Sequence, residues 1–475
     1  MATKKDLVEA YSFSRRRLVT AFVSGAPGGR EVEPTRPGRT IVGGLALAVL
    51  LVAGAAIAGV FAPRTPDDWT EHGLIVSKDT GQAYVIVPDD ESSEVELRPV
   101  INITSATLIL GPDVEPMLIS QDTIDDEAIG EDIGILGAPA SVPDSDLLID
   151  DGWTACTAAG SGIRTRVADD PSVLPASGQQ VLVKSDGEYW LIAQPTDTAA
   201  GLSGAYAYRV ERQQGGRDET DPMLLDLGAG TLGSAVPVPR EWLDLFPRGA
   251  DLDYSSVQLE GLGEELTYAD ESIPEDARVG DLLDTDGGTV LLLKDGPTLL
   301  DPFAAAVYEH LETPTGFHEP LPAPDYPGRT FEDPPLADAH WPRELLTPLD
   351  GPAEPCAQLV TEPGAAPLAQ LTQAPGEDAS AVGVGADTKV AVVDPGRGAY
   401  VLSGGWTGGD AGAPYVIDGK GRANPLGGTG AAEQLGYDSY PVVVVPDSWI
   451  GLFDDGVELS KDAALCPPGS TSCAS

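Results

Sequence analysis

Ile41 to Ala62 reads IVGGLALAVLLVAGAAIAGVFA, an unbroken apolar run without a charged residue. At about 1.5 Å of rise per residue, a helix of this length reaches roughly 33 Å, enough to cross a hydrocarbon core of about 30 Å. The run reads as a single membrane span separating a short head, 1–40, from a long body, 63–475. Charge orients it. The head carries eight Lys and Arg against four acids, so the positive-inside rule places it in the cytoplasm and the body outside. A cleaved signal peptide is the competing reading, because small residues close the run. It fits less well: a signal peptide has a short basic leader and an apolar core of about 7–15 residues, and here the leader is far longer. Gly54 with Ala58, and Ala55 with Gly59, stand at helical spacing and would let another helix approach closely in lipid.

Upstream of the run, Thr3 and Asp6 form a T-x-x-D helix start. Leu7, Tyr11, Ser14, Leu18 and Phe22 then recur at spacings of three and four, a stripe on one helical face. Arg15, Arg16 and Arg17 sit beside it. A basic cluster near a membrane can hold anionic headgroups or dock on an acidic partner; the plainer account is a topology signal on a solvated face, which leaves the stripe unexplained. Gly25 to Arg39, GAPGGREVEPTRPGR, is a Gly/Pro linker into the apolar run.

Here the chain resembles a known family. Glu9 to Gly25 (EAYSFSRRRLVTAFVSG), the single span, Gly73 to Val87 (GLIVSKDTGQAYVIV) and Glu96 to Gly111 (ELRPVINITSATLILG) are similar to EccB, a membrane component of actinobacterial type VII (ESX) secretion systems. The order of elements agrees from head to C-terminus. The most specific pieces are Phe13-Ser14-Arg15-Arg16-Arg17-Leu18 and Arg98-Pro99-Val100-Ile101-Asn102, neither of them a catalytic motif. The resemblance implies an inner-membrane assembly with EccC, the cytosolic motor ATPase, and with EccD and EccE, the ectodomains gathering near the mycosin protease.

The body holds 20 Lys and Arg against 71 Asp and Glu, a surface that stays soluble and argues against nucleic acid or acidic polymers as ligands. Its 413 residues suffice for two or more cores, and its many Gly and Pro predict short strands and turns. Four cysteines, Cys156, Cys356, Cys466 and Cys473, permit three pairings, and sequence alone does not choose among them. Cys466 and Cys473 enclose only PPGSTS, whose Pro and Gly can turn the chain back, so we pair them and leave Cys156 with Cys356. The resemblance agrees, since EccB proteins carry a long-range ectodomain disulfide; the C-terminal pair departs from that pattern. A metal site is not expected: there is no Cys-x-x-Cys, and His72, His310, His318 and His340 lack short ligand spacing.

Two internal echoes organise the body. Val238 to Leu252 (VPREWLDLFPRGADL) and Val445 to Leu459 (VPDSWIGLFDDGVEL) share seven residues at one constant offset, including Trp242 with Trp449, Leu245 with Leu452 and Phe246 with Phe453. Each copy reads as a strand ending at Pro, then a short helix burying its aromatics; a ligand platform is the alternative use of such a pair. The second echo is a strand, a Gly-containing turn and another strand, near 74–87, 180–193, 281–296 and 390–405, four hairpins at near-constant spacing. A helix is expected at Leu300 to Leu311. Asp284 and Asp286 serve a turn, since the ligand spacing of a calcium loop is missing. Glu312 to Cys356 has eleven prolines in 45 residues, which predicts an extended strap outside the fold with Cys356 as its fastening point. The expected architecture is α+β and β-rich: a cytoplasmic N-terminal helix, a single transmembrane helix, and an extracytoplasmic ectodomain of a central β domain with four small α+β repeats, the arrangement the resemblance implies.

No catalytic residue, cofactor or metal ligand emerges. G-x-x-x-x-G-K-[ST] is absent, Gly419-Lys420-Gly421 lacks the glycine loop before it and the hydroxyl after it, and an ATP site is not expected although EccB proteins are sometimes labelled ATPases. G-x-S-x-G is absent too, and no carboxylate pair stands out among so many acids. The expected function is a structural subunit of a secretion complex in the cell membrane, touching inner-membrane lipid, with a self-associating ectodomain. The alternatives are a membrane-anchored envelope enzyme, either ATPase or hydrolase, and a cell-wall binding protein.

Overall fold

Asp6 opens the first helix, α1 (Lys4–Ser24), by accepting hydrogen bonds from the Thr3 backbone N–H at 2.9 Å and the Thr3 hydroxyl at 2.8 Å. These bonds hold its carboxyl below the usual range. The computed structural model describes residues 3–24, 48, 69–71, 73–87, 96–196, 203–212, 218–257, 259–268, 270–326, 339–350, 354–376, 379–408, 412–470 and 473. It divides into two bodies, Met1–Asp67 and Asp68–Ser475. The apolar run at 41–62 lies, Ala48 excepted, outside the described residues, and among those described no helix is long and apolar enough to cross a membrane.

Among the described residues of the larger body there are five sheets. In the first module, β1 (Leu74–Ser77), β2 (Ala83–Val87) and β3 (Glu96–Val100) form an antiparallel meander. Helix α2 (Ile103–Leu110) then carries the chain to β4 (Met117–Ile119), parallel to β1. After α3 (Gln121–Ile124), β5 (Ala128–Ile129) runs parallel to β3. The Arg98-Pro99-Val100-Ile101-Asn102 motif is the strand-to-helix corner of this module. The Asn102 carboxamide accepts from Ser105 N–H at 2.8 Å to cap α2 and donates to Ile135 O at 3.0 Å.

The chain next enters a six-stranded central sheet with β6 (Thr154–Thr157), β7 (Ile163–Val167) and β8 (Leu174–Pro175). It leaves for a second module with the connectivity of the first: meander β9 (Gln179–Ser185), β10 (Glu188–Gln194), β11 (Tyr206–Val210), helix α4 (Thr220–Asp226), and β12 (Val236–Pro237) parallel to β9, then α5 (Arg240–Leu243). Asp186 and Gly187 turn the hairpin with φ of 51° and 87°, the paired positive angles that a two-residue turn demands and that Asp-Gly supplies. The third module repeats the connectivity with β13 (Leu282–Thr285), β14 (Gly288–Leu292), β15 (Pro297–Leu299), helix α6 (Pro302–Glu309) and β16 (Leu321–Pro322).

The chain returns through β17 (Thr347–Pro348), which lies parallel to β9, and completes the central sheet with β18 (Pro355–Val360), β19 (Leu368–Gln373) and β20 (Lys389–Val393). The spatial order is β20-β7-β6-β18-β19-β8. The fourth module has meander β21 (Ala399–Gly404), β22 (Ala413–Ile417), β23 (Arg422–Pro425), then α7 (Ala431–Gln434) and β24 (Val443–Pro446) parallel to β21. It ends in α8 (Asp447–Ile450), β25 (Asp454–Asp455) and α9 (Lys461–Ala464).

Two expectations are corrected. The stretch 390–405 is not a hairpin: β20 runs parallel to β7 in the central sheet, while β21 pairs with β22. Asp394 N–H stays on Val167 O, and the chain then crosses to the next sheet through Asp394-Pro395-Gly396-Arg397-Gly398. Alternation flanking a Gly turn is a local signal and does not say which sheet each strand joins. Nor is 312–356 a wholly extended strap on the outside. Its residues 327–338 and 351–353 lie outside the described ones, but Thr347–Pro348 and Leu321–Pro322 pair at sheet edges. Pro355 opens an interior strand, the first-residue position where a missing N–H is tolerated. Cys356 is therefore fully buried in mid-sheet.

Among the described residues, three of the buried clusters join one sheet to another. The largest joins the central sheet to the second and fourth modules. A second lies between the second and third modules, with Met223 and Leu224 of α4 and Leu227 just after it against Phe303, Val307 and Tyr308 of α6. A third lies between the first and fourth, with Ala106, Leu108 and Ile109 of α2 against Ala431, Leu435 and Tyr437.

Candidate functional site

The residues singled out by sequence fall into three places. Cys156 in β6 faces Cys356 in β18 as a register pair, and a disulfide joins them with Cα atoms 3.9 Å apart and 200 residues between them in sequence. Cys466 is bonded to Cys473, Cα atoms 5.4 Å apart. The short C-terminal loop closes beside α9, which packs on α2 and so ties the fourth module to the first.

The two aromatic segments occupy equivalent places against the central sheet. Trp242 and Trp449 are both fully buried, as are Leu245, Leu452, Phe246 and Phe453 to within a few per cent, all in the core shared with that sheet. The Trp242 ring meets Phe246 edge-on at 5.2 Å, and its Nε1–H donates to Ala155 O in β6 at 2.8 Å. Phe453 meets Trp153, just before β6, edge-on at 5.3 Å. Rings at this depth cannot stack on a ligand; they fasten modules to the sheet.

Arg15, Arg16 and Arg17 are exposed in the middle of α1. Around them Leu7, Tyr11, Leu18 and Phe22 are 68, 73, 71 and 91% exposed, so the stripe is uncovered. Tyr11, Ser14, Arg15, Leu18, Val19 and Phe22 line a shallow concavity along it.

The acid–base inventory of the larger body is structural. Burial pushes the hydroxyls of Tyr308 and Tyr437 well above their ordinary range, so each stays protonated and donates, Tyr308 to Gly280 O at 2.9 Å and Tyr437 to Pro143 O at 2.6 Å. Burial lowers Arg248, which lies over the Trp190 ring at 4.1 Å and bonds to Asp244. At Gly419-Lys420-Gly421 the Asp418 carboxylate already accepts from Lys420 N–H at 2.8 Å and Arg422 N–H at 3.0 Å, the backbone donors that a phosphate would need. Among the described residues no group of three or more His, Cys, Asp or Glu is placed to hold a metal ion. Sequence reading missed three histidine–carboxylate contacts, His310 with Glu219 and with Asp226, and His318 with Asp281, because each joins residues dozens of positions apart.

The fold is a strand-rich α+β one, and the buried residues marked by sequence hold its strands and modules together rather than form a pocket. The family description "Type VII secretion system ESX-1, transport TM domain B" matches residues 1–470, and the chain belongs to that family, EccB. It is 26% identical over 499 residues to the ESX-1 secretion system ATPase EccB1 of Mycolicibacterium smegmatis (strain MKD8), covering 98% of this chain and 95% of that one. To EccB1 of Mycobacterium tuberculosis (strain ATCC 25618 / H37Rv) it is 30% identical over 202 residues, 40% of each chain. Its fold is that of a chain in the intact ESX-5 inner membrane complex, with TM-score 0.61, 23% identity, and coverage of 100% of this chain and 97% of that one. It is likewise that of the EccB3 dimer from the ESX-3 core complex, with TM-score 0.62, 22% identity, and coverage of 83% and 100%.

Proposed function

We propose that this chain is a structural subunit of a type VII secretion membrane complex. It crosses the cell membrane once at 41–62, with 1–40 in the cytoplasm and 63–475 outside. The observation that carries this reading is the reach of the family match, 1–470, which takes in the basic head, the apolar run and the sheet-built body together. The shared connectivity of four sheets supports reading the body as four repeats of one α+β unit around a central sheet. Repeated small units joined by buried clasps suit a scaffold that associates with further copies.

Arg15, Arg16 and Arg17, on a helix whose apolar stripe is exposed, form the docking face of the head for a partner subunit or for anionic headgroups. EccC, EccD, EccE and the mycosin protease are the partners the family implies. The test is recovery of the complex from membranes solubilised in mild detergent. Wild type should migrate in a large assembly, and Arg15→Ala with Arg16→Ala and Arg17→Ala should lower its yield. A protein found only as a free monomer removes the proposal, and unchanged recovery with unchanged topology removes the role of the arginines.

An envelope ATPase is the second reading, favoured by the names its relatives carry. Absence of nucleotide turnover by the purified full chain would dispose of it.

A further inference from the structure

Helix α1 has one side that nothing covers among the described residues. At about 100° per residue, Leu7, Val8, Tyr11, Leu18, Val19 and Phe22 fall within an arc of about 120° and run along roughly 22 Å of the axis. Each of the six is more than half exposed. Phe13 lies off the arc.

Charge is sorted around the same helix. Lys4 and Arg15 stand on the arc, and Arg16 and Arg17 flank it, one on each side. The two carboxylates lie nearly opposite: Glu9, and Asp6, which already accepts from the Thr3 backbone N–H and hydroxyl. The side open to contact therefore combines apolar surface with positive charge alone, and what fits it is apolar and anionic. A second copy of the helix is neither. Two such arcs laid face to face, parallel or antiparallel, would set cations against cations with no carboxylate on either to offset them.

The tether decides between an anionic protein and anionic lipid. Helix α1 ends at Ser24 and the apolar run begins at Ile41, with residues 25–40 between them. Fully extended, about sixteen residues span at most roughly 55 Å. If 41–62 crosses the bilayer, the helix never leaves the neighbourhood of the headgroups, and the lipid stands at an effective concentration that no separate subunit matches.

We propose that α1 lies flat on the cytoplasmic leaflet of the membrane that its own chain crosses, with the arc from Leu7 to Phe22 sunk to the boundary of the acyl chains and Arg15 and Arg17 on anionic headgroups. This rests on the reading of 41–62 as a span with 1–40 inside. Arg15, on the arc itself, reaches back to the headgroups along its methylene stem, while Glu9 and Asp6 face water. The head is then a second attachment to the bilayer, selective for anionic lipid.

The full chain reconstituted into nanodiscs, of phosphatidylcholine alone or mixed with phosphatidylglycerol, tests this. Leu18→Cys and Glu9→Cys, both changes at exposed positions, carry a nitrobenzoxadiazole label whose emission rises in lipid. In the mixed discs the label at 18 should be several times brighter than that at 9, and nitroxides on the acyl chains should quench it alone. Adding Arg15→Gln should lower the ratio of lipid-bound to aqueous label about fivefold, what one arginine near an anionic surface contributes, and should do so in the mixed discs only. A label at 18 as aqueous as that at 9, or a ratio that Arg15→Gln leaves unchanged in the mixed discs, would overturn the proposal. So would a label at 18 that is aqueous in nanodiscs yet shielded in membranes of the source cell, because a protein would then cover the arc. A chain that does not enter nanodiscs refutes the span and this proposal together; one that enters with its label at 18 in water refutes this proposal alone.

Discussion

Phenylalanine at Trp242 and at Trp449, introduced one at a time, separates two residues that the sequence echo makes equivalent. Both indoles are fully buried on short helices after a proline, in the same core. Each replacement therefore forfeits a similar part of the roughly 3–5 kcal/mol that complete truncation of a core aromatic costs. Their hydrogen bonding differs. Trp242 Nε1 donates to Ala155 O at 2.8 Å, so Trp242→Phe also loses that bond, a further cost of about 1 kcal/mol. Among the described residues the Trp449 Nε1–H meets no acceptor, so Trp449→Phe removes an N–H whose unpaired burial costs about 1–3 kcal/mol. Trp242→Phe should be the more damaging by roughly 2 kcal/mol, near a thirtyfold difference in unfolding equilibrium. Pulse proteolysis across a urea series on the full chain in detergent reports this without relying on tryptophan emission. A Trp449→Phe protein as unstable as Trp242→Phe, or more so, refutes the reasoning.

The two disulfides should differ in worth with the loops they close. Urea midpoints should place the loss for Cys156→Ala with Cys356→Ala at up to about 5 kcal/mol, and for Cys466→Ala with Cys473→Ala at about 2, given spacings of 200 and 7 residues. Gly162→Ala should lose about 1–3 kcal/mol by the same measurement, because its Cβ would meet Thr388 O at 2.0 Å and Gly385 O at 2.3 Å, backbone atoms that cannot swing aside. Asp281 is half-buried, which raises its pKa, but hydrogen bonds from His318 and from Arg278 N–H outweigh this and leave it depressed. Its contribution is present above the ordinary carboxylate value of about 3.9 and is lost as pH falls through its value in the fold, so Asp281→Asn should flatten the acid limb of a stability profile.

What was legible in sequence was local. Asp186-Gly187 between alternating strands declares a hairpin, and the aromatic echo around Trp242 and Trp449 marks two buried helices because a Trp, a Phe and a Pro in register are visible without any fold. The feature that makes the four modules alike was not legible. It is the return strand parallel to the first, and in β12 and β16 that strand is two residues long, too short for any periodicity. The crossing at Asp394 to Gly398 failed for a related reason, since both flanking segments are good strands and only the third dimension assigns them to different sheets. The histidine contacts were hidden by separation: Glu219 and His310 are 91 residues apart and meet only because two modules pack helix to helix. The apolar run at 41–62 is legible in sequence alone and lies, Ala48 excepted, outside the described residues.

The order of the central sheet poses a folding problem whose solution is visible at its edge. Strands β6 and β18 are neighbours, yet the second and third modules are inserted between them, and closing so long a loop from an open chain is entropically costly. The insertion brings its own ends together. It begins at β9, and β17, where it ends, lies parallel to that strand with Thr347 opposite Gln179. Gln180 secures the junction: its buried carboxamide donates to Leu227 O and to Leu346 O, and its backbone carbonyl accepts from Leu349 N–H at 2.9 Å. Once the inserted pair has folded, β8 and β18 leave it from adjacent points, and the loop that must close to bring Cys156 to Cys356 is short. Gln180→Leu keeps the volume but strands two buried carbonyls, at a cost of about 1–3 kcal/mol each, offset in part by removing the buried Gln180 Oε1, which meets no donor among the described residues. Oxidative refolding followed by mass spectrometry should then show the Cys156–Cys356 bond forming several times more slowly, with Cys466–Cys473 unaffected. Equal slowing of both bonds would mean that Gln180 acts on global stability, and the junction would lose its special place in the pathway.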